Sequence, residues 1–215
     1  MIDNNVVIGI DIDGVLRDLA AQITTYMDID YPYAEWDREF SQWNLTETLN
    51  MSEKELVKWL YDDRVFHLFG MAPKTYKKAI DDLNAFSIAA ESSGYKVVIA
   101  SVQRGRAVTA TLHWLSKNGC RIQNYLFFDT MEDKMNGPFD IIVDDNPDML
   151  ETWLKYQPIL KYQPIFREDG EYIPRAIGVE YSYNKHLDFT SLDLEKDGLD
   201  KLHDILGIER ILTKE

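Results

Sequence analysis

The sequence contains one cysteine, Cys120, and no apolar stretch long enough to span a bilayer. A single cysteine excludes an intrachain disulfide and any multi-cysteine zinc site. A reducing, cytoplasmic setting is therefore the default expectation, and neither a membrane partner nor a membrane anchor is expected. The neighbours of Cys120, which are Asn118, Gly119 and Arg121, offer no group to activate a thiolate. Positive charge is also scarce: 23 Lys and Arg stand against 37 Asp and Glu, a net charge of −14. Such an excess repels the phosphates of nucleic acid, so no DNA or RNA partner is expected. A small anion held in a local pocket by a metal ion and a few cations remains compatible with it. The four histidines (His67, His113, His186 and His203) show no mutual spacing suited to a metal site. The first ten residues carry no basic cluster and read as a strand, not a signal peptide.

Hydrophobic residues are plentiful, at 45% of 215. That is enough for a sizeable core in one domain with an insertion. Val6 to Ile10 is a short β-branched run that ends in the turn cluster Asp11-Ile12-Asp13-Gly14. Leu16, Leu19, Ala20 and Ile23 then recur at helical spacing. Residues 28–75 carry Trp36, Trp43 and Trp59 and no strand pattern, and Ser52 with Glu55 makes a capping box before Leu56 and Leu60. A long helix is expected over 75–93, stopped by Gly94. Strand signals return at 96–100, 125–128 and 140–143, with a helix over 105–118 between the first two. Strands alternating with helices predict an α/β fold, a Rossmann-like parallel sheet with helices on both faces and a small α-helical cap inserted after the first strand. The expected division is a core of residues 1–17 plus 93–215 and a cap of 18–92. Beyond residue 150 the pattern weakens. The hexapeptide LKYQPI occurs twice, at 154–159 and 160–165, and suggests an extended edge segment, with a last short helix at 197–206.

In a sheet of this kind, ligands bind beyond the carboxyl ends of the strands. Asp11 and Asp13 lie there, two residues apart. One could attack phosphorus and become an aspartyl-phosphate, and the other could move the proton. Two like charges so close call for a hard, oxygen-ligated cation. Asp144 and Asp145, ending another strand, could complete the metal site. Lys134, ten residues before Asp144, could neutralise a phosphate, and Ser101 at a strand end could hold one. Each also has a plain reading, as a helix cap, a loop residue or a solvated surface group.

Together, Asp-x-Asp, then Ser, then Lys, then Asp-Asp resembles the haloacid dehalogenase superfamily over roughly residues 5–150. Within it, Asp11-Ile-Asp-Gly-Val-Leu-Arg-Asp18, Asp133-Lys134 before Asp140-Ile-Ile-Val-Asp-Asp145, Val65-Phe66 with Pro73, and Trp114 are similar to the 5′(3′)-deoxyribonucleotidase family. The sequence departs from that family at Arg17, Leu19 and Ser101-Val102-Gln103, and it lacks the glycine after Pro73. The resemblance implies a Mg2+-dependent phosphatase. Asp11 would be nucleophile and ligand, and Asp13 acid/base and ligand through its backbone carbonyl. Asp144 would be a ligand supported by Asp145, with Ser101 and Lys134 on the phosphate. The implied substrate is a nucleoside monophosphate. Phe66 is the expected stacking contact, Arg17 could reach a ribose or second phosphate, and the cap is expected to be mobile and to close over the site. Tyr183-Asn184 weakly echoes an aromatic-Asn element of the family. Other substrates stay open: a sugar phosphate, a cofactor phosphate or a nucleic-acid 3′ phosphate. So does a non-catalytic phosphoacceptor module, although receiver domains place their phosphorylated aspartate later than their acidic pair. Oligomeric state is open, a homodimer being one of the states allowed.

Overall fold

The computed structural model describes residues 6–156 and 175–211. Among the described residues, six strands form one sheet: β1 (Val6–Ile10), β2 (Tyr95–Val102), β3 (Tyr125–Phe128), β4 (Ile141–Asp144), β5 (Ala176–Val179) and β6 (Thr190–Leu192). Their order is β3-β2-β1-β4-β5-β6, and every pair is parallel. Parallel strands need long crossovers; of the helices α1 to α9, the first eight lie between β1 and β5, while residues 180–189 join β5 to β6 without a helix and α9 follows β6. In chain order the helices are Leu19–Asp30, Leu45–Thr48, Glu53–Lys58, Val65–Met71, Ala79–Ser92, Arg106–Lys117, Met131–Met135, Pro147–Tyr156 and Lys201–Leu206, with a π-helical turn at Trp59–Asp63 after α3. Among the described residues, no helix is long and apolar enough to cross a membrane.

The alternation of side chains along the strands divides the core in two. Ile8 and Ile10 of β1, with Val97, Ile99, Ile141 and Val143, pack against Leu83 and Phe86 of α5, Trp114 of α6 and Leu202 of α9. Val98, Ala100 and Ile142 face the other way, onto Phe139 and onto Met149, Leu150 and Trp153 of α8. Helices thus cover both faces, as the strand-helix alternation predicts. A third cluster stands apart. Ile23, Met27, Leu49, Trp59, Leu60, Leu68 and Phe69 form a small helical body that rests on Ala107 and Ala110 of α6.

Three expectations need correction. Helix α5, placed in the insertion by its position, buries Ile80, Leu83 and Phe86 in the sheet core, so the cap cluster ends with α4 and not at residue 92. The segment after residue 150 holds two more strands, β5 and β6, extending the sheet beyond β4. The first LKYQPI copy begins inside α8, which runs to Tyr156, and not in an extended segment. The rest of that duplication lies outside the described residues.

Candidate active site

Register brings the acidic residues together. Ile10 pairs with Val143, and the Asp11 amide donates to the Val143 carbonyl at 2.9 Å, so Asp11 and Asp144 emerge side by side. Ser101 lies near the end of β2, on the other side of β1, and is buried. Thr130 caps the short helix α7, which delivers Lys134 beneath the same strand ends. Lys134 Nζ donates to Asp11 Oδ1 at 2.5 Å and pairs with Asp144 Oδ2 at 2.7 Å. Asp144 Oδ1 accepts the Asn146 amide at 3.0 Å. Asp145 follows, its Oδ2 accepting from Tyr183 Oη at 2.5 Å. All four charged groups are buried.

One buried ammonium, bonded to Asp11 and Asp144, therefore stands among three buried carboxylates, and the electrostatics show the imbalance. Burial pushes the Asp11 carboxyl up to about 7; Lys134 opposes this, and Asp144 and Asp13 add to it. Burial likewise holds Asp145 well above the usual carboxylate range, with the Asp144 charge adding. Burial alone would lower the Lys134 ammonium, but Asp11 and Asp144 outweigh it and the net direction is up. Carboxylate oxygens of Asp11, Asp144 and Asp145 lie within 4.8 Å of one another. The donors are all oxygen and negative charge is in excess, so the residues fit a hard divalent cation such as Mg2+.

Asp13 is separate from that cluster. Its Oδ1 accepts from Arg17 Nε at 2.7 Å, and its Oδ2 from Arg17 Nη2 at 2.9 Å and Gln103 Nε2 at 2.8 Å. Arg17 is completely buried. Its Nη1 donates to the Phe69 carbonyl at 2.5 Å and to Thr111 Oγ1 at 3.0 Å, and Thr111 in turn donates to Gln103 Oε1 at 2.6 Å. The guanidinium lies 5.2 Å from the Phe69 ring centroid and 5.5 Å from that of Trp114. Arg17 is thus spent on Asp13 and the cap and has no reach to a ribose or second phosphate, which corrects the sequence expectation. Gln103 and Thr111, which sequence reasoning had not singled out, complete this network.

Gly14 has φ +78°, and a Cβ there would collide with the Asp145 carboxylate. A larger residue could not let the turn after Asp13 pass so close to Asp145. The loop after β5 closes over the same turn. Tyr181 Oη donates to the Gly14 carbonyl at 2.8 Å. Asn184 Nδ2 donates to the Asp145 and Val179 carbonyls, both at 2.8 Å. The Tyr183-Asn184 pair therefore sits in the site, on a segment whose role the sequence left unread.

A cleft of about 290 Å³ opens from Asp13, Gly14 and Asp145. Leu19, Ile23, Phe40, Trp43 and Leu45 wall it on the cap side, and Tyr181 and Tyr183 on the core side. Phe66 is not among its lining residues. It is 43% exposed and lies beneath the Arg106 guanidinium, 5.5 Å from its ring centroid. Trp43 does line the cleft, and its ring centroid is 5.3 Å from that of Tyr183.

No protein-family model matches the chain, and no curated protein does. Solved structures do match. A dehalogenase with an intermediate complex superposes with a TM-score of 0.54 at 14% identity, over 95% of this chain and 98% of that one. A haloacid dehalogenase-like hydrolase from Burkholderia xenovorans gives 0.53 at 14% identity, over 94% and 99%. CbbY from Rhodobacter sphaeroides, in complex with phosphate, gives 0.52 at 13% identity, over 91% and 95%. At such identities the likeness is one of fold. Over nearly its whole length, then, the chain has the fold of haloacid dehalogenase-like hydrolases, with a buried acidic cluster at the ends of its central strands.

Proposed function

We propose that the protein is a Mg2+-dependent phosphatase that acts on a small phosphomonoester through a phosphorylated Asp11, and that a nucleoside monophosphate is the substrate. The observation that carries this reading is the cluster of Asp11, Lys134, Asp144 and Asp145, three buried carboxylates around one ammonium at the ends of β1 and β4. Asp11, Asp144 and Asp145, with the Asp13 backbone carbonyl, would hold the ion, which would neutralise charge on the phosphoryl oxygens.

The chain's own residues supply the rest. An Asp11 carboxylate oxygen attacks phosphorus, and the bond from phosphorus to the ester oxygen breaks. Asp13 gives that oxygen a proton as it leaves. Asp13 then takes a proton from water, which attacks the aspartyl-phosphate, and inorganic phosphate departs with Asp11 restored. Three donors occupy three of the roughly four lone-pair positions of the Asp13 carboxylate, so one position on Oδ1 stays free for the proton. Lys134 and Ser101 face the phosphoryl oxygens in this reading, and the Lys134 charge opposes the effect of burial on Asp11, favouring the ionised nucleophile. The flat walls of the cleft support a nucleoside as the leaving group, and the single cysteine supports a cytoplasmic setting.

A panel of nucleoside monophosphates and sugar phosphates, assayed with and without Mg2+, tests the reading. Hydrolysis should be fastest with a nucleoside monophosphate, fall at least about a hundredfold after exhaustive EDTA treatment, and return with added Mg2+. Full activity after EDTA treatment would refute it.

A further inference from the structure

Among the described residues, three cations near the cleft already have anionic partners. Arg17 is bound to Asp13, Lys134 to Asp11 and Asp144, and Lys185, beyond Tyr181, pairs with Glu180 at 3.6 Å. Among the described residues lining the cleft none is basic, whereas Asp18 and Glu39 line it and Asp13 and Asp145 close its inner end. Its walls are rings held in place. Tyr181 and Tyr183 are fixed through their hydroxyls to Gly14 and Asp145, and stack with centroids 5.3 Å apart and planes 11° from parallel. On the cap side, Phe40 takes a positive φ of +48°, a conformation that costs energy for a bulky residue and persists where the surroundings enforce it. The surroundings are visible. The Asp37 carboxylate accepts from the Glu39 and Ser41 amides at 3.0 and 2.7 Å, and the Phe40 carbonyl accepts from Ser182 Oγ at 3.3 Å, tying cap loop to core loop.

Resting on the phosphatase reading above, we infer that this cleft is a leaving-group subsite that admits flat groups without negative charge and rejects those carrying an anionic group of their own. Trp43 and Tyr183 supply the stacking surface, and stacking on such surfaces tolerates many ring systems. Glu39 and Asp18 supply the rejection: a leaving group with a carboxylate or second phosphate would enter an acidic mouth where no described lining residue offers a partner for its charge. Monophosphates of uncharged aromatic or nucleoside alcohols pass this filter. Bisphosphates do not, and nor do nucleoside diphosphates, whose leaving group is itself an anion. The loop after β5, including Tyr181 and Tyr183, thereby gains a function in substrate choice.

Three substrates separate the elements of this inference: 4-carbamoylphenyl phosphate, 4-carboxyphenyl phosphate and glycerol phosphate. The first two match in size and shape and differ by one negative charge, and the third has no ring. With the wild-type protein and Mg2+, kcat/KM for the carbamoyl compound should exceed that for the carboxy compound at least about tenfold. Glu39→Gln should narrow that gap at least about threefold. Trp43→Ala should lower the ratio of carbamoylphenyl to glycerol phosphate kcat/KM at least about tenfold, mainly through KM. Equal rates for the charged and uncharged aryl phosphates would overturn the inference while leaving the phosphatase reading intact. So would a preference for the charged compound that Arg104→Ala removes, since the subsite would then lie toward α6. Failure to hydrolyse any of the three would overturn both.

Discussion

At the strand ends, three carboxylates are sealed from water around a single ammonium. The cleft that opens beside them is walled by rings, several of them half exposed. The two regions meet at Asp145, which belongs to the cluster through its carboxylate and to the cleft through its bond from Tyr183. They differ in what holds them. The cluster is fixed by the register of two neighbouring strands and cannot change without exposing an unpaired charge in the core. The cleft is fixed by hydroxyl hydrogen bonds and one strained loop, so its walls can be altered at small cost to the fold. On the proposed reading, chemistry is thus placed where the structure tolerates least change, and selectivity where it tolerates most.

Substitutions in the two regions sharpen that contrast. The largest effect is expected for Lys134→Met, which leaves Asp11 and Asp144 buried without their cation. Unfolding free energy should fall by about 3–5 kcal/mol in urea titrations, and kcat by at least about a thousandfold. Arg17→Met comes next. It removes two donors from Asp13 and empties a buried pocket between cap and core, so stability should drop by about 3 kcal/mol. Its kcat should drop about a hundredfold with KM nearly unchanged, because Arg17 positions Asp13 and does not touch the substrate. A KM effect larger than the kcat effect would return Arg17 to the substrate. Trp43→Ala is the mildest. Trp43 is 38% exposed, so urea titration should show a loss below about 1 kcal/mol. A loss near that of Lys134→Met would erase the distinction between the regions.

The same contrast governs what could be read from sequence. The meeting of Asp11, Asp13, Ser101 and Asp144 at the strand ends was legible because each follows or ends a short β-branched run, and a parallel sheet must gather such ends; Lys134, inside α7, could be singled out only by its spacing before Asp144. The cleft was not, because its walls come from residues 18–45 and 181–183, which no local pattern connects. The motif points to Phe66 as the stacking residue, whereas nothing in the sequence around Trp43 sets it apart from the other tryptophans of the insertion. An arginine wholly buried at position 17 runs against its usual exposure, so its charge suggested a ligand and not a structural partner. Strand β5 is four residues long and contains Gly178, where the Phe189 ring packs in place of a side chain, so its signal was faint. Helix α5 had the right periodicity and the wrong allegiance, since an amphipathic face does not say which core it meets.

All of this turns on Asp11 as the group that carries the phosphoryl moiety. The direct measurement is single-turnover hydrolysis of an aryl phosphate by the wild-type protein and by Asp11→Asn, followed by acid quench and mass analysis of the peptide containing residue 11. The wild-type peptide should gain the mass of one phosphoryl group. Asp11→Asn should show no such gain and should turn over at least about ten-thousandfold more slowly, with its fold and thermal unfolding transition retained. Turnover by Asp11→Asn above about 1% of the wild-type rate would contradict the account.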